Sequence, residues 1–249
     1  MILYDVAITD VAYSVPSIEV WSNCLQSLKP GAHLLAFCST ANHHRNTANI
    51  EDAGFEVRDS IAWMFDGEGL FIHPDLNLIA MARKPLDCNT VASNVLKWGT
   101  GALNIDGCRV EGRERTEYGL ANSSRSAGNT YGAPSASADF DASKGRWPAN
   151  IILESSESIV GMFPQAKGAV SNGRKGVQGV CYSGRGAMPR QPGRADSGSA
   201  ARFFHQVEPD GPRPPALIAY LHKLITPPGG TAYDPVGTLS DLLSKMQGP

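Results

Sequence analysis

The chain has 249 residues, 42% of them hydrophobic and 18% charged, with a formal net charge of −2. That length buries one substantial core, or one core with an irregular appendage. No run approaches the ~20 apolar residues that cross a bilayer, and Met1 leads into strand signals rather than a secretory leader, so a soluble cytoplasmic protein is expected.

Val6 to Thr9 is a short apolar run, suited to a buried strand. Ser17 can cap a helix from Ile18 to Leu28, with Ile18, Trp21, Cys24, Leu25 and Leu28 on one face. Pro30-Gly31 is expected to stop it. His33 to Cys38 is apolar on both faces, as in a central parallel strand. A polar helix from about Ala41 to Ala53 follows, then strands over Phe55–Phe65 and Leu76–Arg83. Strands alternating with helices at this spacing predict a mostly parallel α/β sheet.

A helix is expected over Thr90–Trp98, stopped by Gly99. Between Val110 and Lys144 periodicity disappears, and the Ser, Ala, Asn and Gly found there cannot build a core. Trp147–Leu153 reads as a strand, Ser156–Phe163 as a short helix and Ala200–His205 as a strand. Pro215–Ile225 has helical spacing, a strand spans 231–235, and a short helix covers Leu239–Met246. The division expected is 1–109 as an α/β core, 110–205 as a peripheral loop-rich region, and 206–249 as a helix and strand that complete the sheet.

Charge is unevenly spread. Residues 165–205 hold seven bases against one acid, Asp196. Arg174, Lys175, Arg185 and Arg190 within it suit phosphate contact, and a solvated loop is the plainer alternative. The five cysteines are widely spaced without a C-x-x-C pair, so neither a zinc site nor a disulfide framework is expected. His43 and His44 diverge by about 100° on a helix, which favours a solvated helix start over a metal site.

Several ordered stretches resemble a known family. Leu28-Lys29-Pro30-Gly31-Ala32-His33-Leu34-Leu35-Ala36-Phe37, Ile50-Glu51-Asp52-Ala53-Gly54-Phe55-Glu56, Ala82-Arg83-Lys84-Pro85 and Gly145-Arg146-Trp147-Pro148-Ala149-Asn150 are similar to segments of S-adenosylmethionine-dependent DNA amino-methyltransferases. The similarity is to the circularly permuted (beta) class, in versions common in phages and prophages. It implies an incomplete Rossmann-like methyltransferase sheet, methylation of an adenine or cytosine amino group in DNA, S-adenosylmethionine as cofactor and a bacterial host cytoplasm.

The family's D-P-P-Y motif corresponds to Asp10-Val11-Ala12-Tyr13. There the acid and the next carbonyl accept hydrogen bonds from the amine of a flipped base, and the aromatic ring stacks on that base. Both prolines are absent here. A strand-end cap with a half-buried ring is the structural alternative for Asp10 and Tyr13. The family's D-P-F-x-G-S-G-T corresponds to Asp234-Pro235-Val236-Gly237-Thr238-Leu239-Ser240-Asp241. The resemblance makes Asp234 and Gly237 border the cofactor, with Leu239 intruding where space is required.

The family's H-P-T-x-K-P corresponds to Gly211-Pro212-Arg213-Pro214-Pro215-Ala216 and loses three of its side chains. Family members continue through two further strands, whereas this sequence ends at Pro249. Impaired or lost catalysis is therefore expected, with a non-catalytic DNA- or protein-binding module as the alternative. A homodimer is a further expectation, to cover the sheet edge.

Overall fold

A computed structural model of the protein describes residues 3–67, 73–111, 145–166 and 197–247. The elements are β1 (Tyr4–Asp10), α1 (Ile18–Ser27), β2 (Leu28–Ser39), α2 (His43–Asp52), β3 (Glu56–Phe65), β4 (Asp75–Arg83), α3 (Val91–Trp98), β5 (Ile151–Glu154), α4 (Glu157–Gly161), β6 (Gln165–Ala166), β7 (Gly198–Ser199), β8 (His205–Val207), α5 (Pro215–Ile225), β9 (Ala232–Tyr233) and α6 (Ser240–Gln247). Arg174, Lys175, Arg185 and Arg190 lie outside the described residues, as does most of the stretch between Val110 and Lys144. None of the described helices is long and apolar enough to cross a membrane.

Seven strands form one sheet in the order β8-β5-β3-β4-β2-β1-β9. Every neighbouring pair is parallel except the two made by β4, which runs against both β2 and β3. The mostly parallel α/β sheet expected from the sequence is thus observed with one reversed strand. Its reversal follows from the length of the connection: only nine residues separate Phe65 from Asp75, and a parallel return needs a crossover of about a dozen residues or more.

Three local expectations are corrected. β2 begins at Leu28 directly after α1 and includes Pro30-Gly31. Gly31 has φ +81°, and a Cβ there would stand 2.4 Å from Asn94 Nδ2. Only glycine accommodates that approach, in which Asn94 donates to the Pro30 carbonyl at 2.9 Å. Ala200–Phe203 is a 3-10 turn rather than a strand, with the strand displaced to His205–Val207. And β5 and β8 extend the main sheet, although the sequence assigns β5 and the start of β8 to a peripheral region.

The sheet is covered on both faces. Val6, Ile8, Leu35, Phe37, Ile61, Trp63 and Ile79 pack with Leu217, Ile218, Leu221 and Leu224 of α5 and Leu243 of α6. On the opposite face Ala7, Leu34, Ala36, Cys38, Ala80 and Ala82 pack with Trp21 and Cys24 of α1 and Ile50 of α2. Alternate residues of β1 and β2 enter opposite layers, and both sets are apolar because neither face meets water. The second face carries mostly small residues, so α1 and α2 approach closely and Trp21 fills the space between.

His33 lies in β2 opposite Arg83, and only 4% of it is exposed. Burial, with the charges of Arg83 and Arg58, lowers its pKa to about 4. The unfolded chain, with an ordinary value of about 6.5, therefore binds more protons between these two values. Stability is expected to be full above pH ~6.5 and to fall by as much as about 3 kcal/mol as pH drops to ~4. Urea unfolding of the parent and His33→Gln at pH 7, 5.5 and 4.5 checks this: the variant should show a shallower loss with acid, and identical slopes would refute the assignment.

Candidate functional site

β1 lies between β2 and β9 and is parallel to both. The chain leaves β1 through α1 on one face of the sheet and reaches β9 after α5 on the other. The C-terminal ends of β1 and β9 thus lie where the connections diverge, the usual ligand position in open α/β sheets. Ala7 pairs with Tyr233, so Asp234 leaves β9 at the level of Ile8, close to the end of β1 at Asp10. The two strand ends are tied together directly. Thr9 Oγ1 donates to Asp234 Oδ1 at 2.6 Å, and the Asp10 amide donates to Thr238 Oγ1 at 2.9 Å.

Beyond Asp10 the chain turns sharply. Asp10 Oδ1 accepts from the Ala12 amide at 2.9 Å, and the Val11 amide donates to the Phe37 carbonyl at 2.8 Å. Val11 and Ala12 are buried, whereas Tyr13 is 98% exposed. The ring is therefore not the half-buried filler of the structural alternative, while the Asp10 bond to Ala12 is a local turn cap of the kind that alternative describes.

The turn is held by side chains that sequence reasoning missed. Asn42 Nδ2 lies within hydrogen-bonding distance of the carbonyls of Val11, Ala12 and Ser14 at 3.0, 2.9 and 3.1 Å. Asn46 Nδ2 donates to Ser14 at 3.1 Å and Asn49 Nδ2 to Pro16 at 2.9 Å. The three asparagines stand at i, i+4 and i+7 at the start of α2 and along it, hence on one face. That spacing was the available signal, hidden by reading α2 as merely polar.

A second unforeseen residue meets Asp10 itself. Arg213 Nε lies 2.8 Å from Asp10 Oδ2, a charge contact without hydrogen-bond alignment. Its Nη2 donates to Asp10 Oδ1 and to Asn77 Oδ1, each at 3.2 Å, and Nη1 donates to the Pro212 carbonyl at 2.7 Å. The guanidinium carbon sits 4.9 Å from the Phe37 ring centroid. With side chains 12% and 17% exposed, Arg213 and Asp10 form a largely desolvated pair that engages both carboxylate oxygens.

On the β9 side, Asp234 is spent on shaping its own loop. Oδ1 accepts from Thr9 and from the Val236 amide at 3.2 Å, and Oδ2 accepts from the Leu239 amide and from Ser240 Oγ at 3.4 Å. This is capping chemistry for the start of α6. Gly237 has φ +82° with open space where a Cβ would lie. Leu239, expected to intrude on the loop, is instead 4% exposed and packed into the core with Leu217 and Leu243.

The remaining candidates are dispersed. His43 Nε2 lies 3.2 Å from Ser60 Oγ, and burial followed by the charge of His44 lowers its pKa. Among the described residues no group of three His, Cys, Asp or Glu could hold a metal ion. Burial pushes the thiols of Cys24 and Cys38 up to about 12, which makes them poor nucleophiles. Arg202 donates to the carbonyls of Gly198 and Ser199 and lies over Phe203, holding its own turn.

No protein-family model matches the chain, and no curated protein does. Solved structures similar to it include M1.HpyAVI, which aligns over 99% of this chain and 78% of that one at 12% identity and a TM-score of 0.46. The M1.HpyAVI-SAM complex aligns over 34% and 46% of the two chains at 24% identity and a TM-score of 0.28. A Thermus thermophilus protein described as a DNA modification methylase aligns over 35% and 48%, at 18% identity and a TM-score of 0.28. In these last two comparisons the chain spans less than half the length of the relative.

The asparagine bonds generate a stability prediction. Asn42→Ala leaves the buried carbonyls of Val11 and Ala12 without that donor, at an expected cost of about 1–3 kcal/mol. Urea unfolding at neutral pH measures it. A change below about 0.5 kcal/mol, the level of an ordinary surface substitution, would show that Asn42 does not hold the turn.

Proposed function

We propose that the protein is a homologue of S-adenosylmethionine-dependent DNA amino-methyltransferases whose catalysis is impaired. The observation that carries this reading is the pairing of Asp10 and the solvent-facing Tyr13 with the Asp234–Thr238 loop, at the ends of adjacent parallel strands. In this reading Tyr13 stacks on a flipped base of DNA, and Asp10 with the Val11 carbonyl orients its exocyclic amine. Asp234 fixes the shape of the cofactor loop, and the open side of Gly237 is the room in which the methionine portion of S-adenosylmethionine fits. The cofactor supplies an electrophilic methyl group on a sulfonium.

Two contacts support impairment. Arg213 engages both oxygens of Asp10, and Asn42 donates to the Val11 carbonyl, so both acceptors of the amine already carry internal donors. Catalytic placement needs reacting atoms about 3–3.5 Å apart, and an amine that must compete with a guanidinium and an amide for its acceptors is placed less well. Calorimetry with S-adenosylmethionine should give a heat of binding. Transfer of labelled methyl to unmethylated DNA should stay at background in both the parent and Asp10→Ala. Transfer above background that vanishes in Asp10→Ala would restore the enzyme, and no heat at millimolar cofactor would remove the cofactor assignment.

The occupied acceptor also favours a second reading, a non-catalytic DNA-binding module using Arg174, Lys175, Arg185 and Arg190. Four phosphate contacts would lower affinity about 100-fold between ~50 and ~200 mM salt, with little sequence preference. Reversing all four charges should abolish binding in a gel-shift titration at low salt; unchanged affinity would exclude this segment.

A further inference from the structure

The connector from Glu208 to Pro212 is exposed, and Arg213 is the residue at which the chain turns inward before Pro214 and α5. The inward side chain ends on a carboxylate, not in solvent. Its Nη2 bridges Asp10 Oδ1 and Asn77 Oδ1 at 3.2 Å each, as an amino group seeking two acceptors would. Phe37 supports the guanidinium from one side. Three strands therefore shape its seat, since Asp10 is in β1, Phe37 in β2 and Asn77 in β4.

We infer that Arg213 is the specificity-determining residue of this site: it holds the acceptor that would read a base's exocyclic amine, and leaves a site that takes a planar ring without reading the amine. The inference rests on the reading of the Asp10–Tyr13 turn as a base site. A charged donor binds a carboxylate roughly twice as strongly as a neutral one, so a base amine does not displace the guanidinium. Displacement would also strand a largely buried cation away from its partner. Tyr13 lies outside this pairing, and its exposed ring still offers a stacking surface.

The test compares adenosine with purine riboside, which lacks the amino group, by saturation-transfer NMR titration at millimolar nucleoside. The parent should bind the two about equally. Arg213→Ala should prefer adenosine on the order of tenfold, and Arg213→Ala combined with Asp10→Ala should lose that preference. Arg213→Gln, which keeps a neutral amide near Asn77 and Phe37, serves as a second variant should the alanine fail to fold. Equal affinities in a folded Arg213 variant would overturn the inference. So would a strong adenosine preference in the parent, a measurement that needs no variant. Tyr13→Ala separates the two ideas, since it should weaken both nucleosides. If neither nucleoside binds, or binding ignores Tyr13, the base-site reading fails and takes this inference with it.

Discussion

The docking of β9 beside β1 is the constraint on which the rest of the molecule depends. It joins segments more than 200 residues apart through a small set of specific bonds. Asp5 accepts from the Thr231 amide and hydroxyl at 2.9 and 3.0 Å and pairs with Lys29 at 2.6 Å. Burial alone would raise the Asp5 pKa, but the bonds from Lys29 and Thr231 outweigh it and the net shift is downward. Farther along, Thr9 meets Asp234 and Asp10 meets Thr238. The same junction sets where α6 starts, which packs Leu243 against the sheet face that also carries Ile8, Phe37 and Ile79. The junction also holds the ends of the two strands side by side.

The turn after Asp10 shows how a sharp turn can be held without proline. Proline fixes φ covalently, whereas this turn is built of valine and alanine. Their small apolar side chains are buried, and three asparagines of the α2 region hold their carbonyls and those of Ser14 and Pro16. Rigidity that could come from ring closure comes here from side-chain hydrogen bonds and packing. The result is a turn with both ends anchored and one aromatic ring projecting into water.

Electrostatically the two acids of the site have been turned inward. Asp10 answers to Arg213, and Asp234 answers to the backbone of its own loop and to Thr9. A carboxylate so satisfied is a structural element first, because a ligand must compete with partners that are already desolvated and in place. The region combines an exposed ring and an open glycine with charges that are internally matched.

The local pattern of the chain was legible by itself. Helices α1, α3 and α5, the strands β1, β3 and β4, and the stop at Gly99 follow from periodicity and end signals that act over a few residues. The placement of Asp10 and Asp234 at neighbouring strand ends follows from no local pattern; the resemblance implied it, since ligands in open α/β sheets bind where the strand order reverses. The reversed β4 and the strand pairing of β5 and β8 were settled by connection length and by available sheet edges. Arg213 and the asparagine face were decided only in the tertiary structure. A hydrogen bond between side chains tens or hundreds of positions apart leaves no period, cap or composition behind in the sequence. What the sequence determined was therefore the scaffold and the identity of the groups at its strand ends, and what folding decided was which of those groups already had partners.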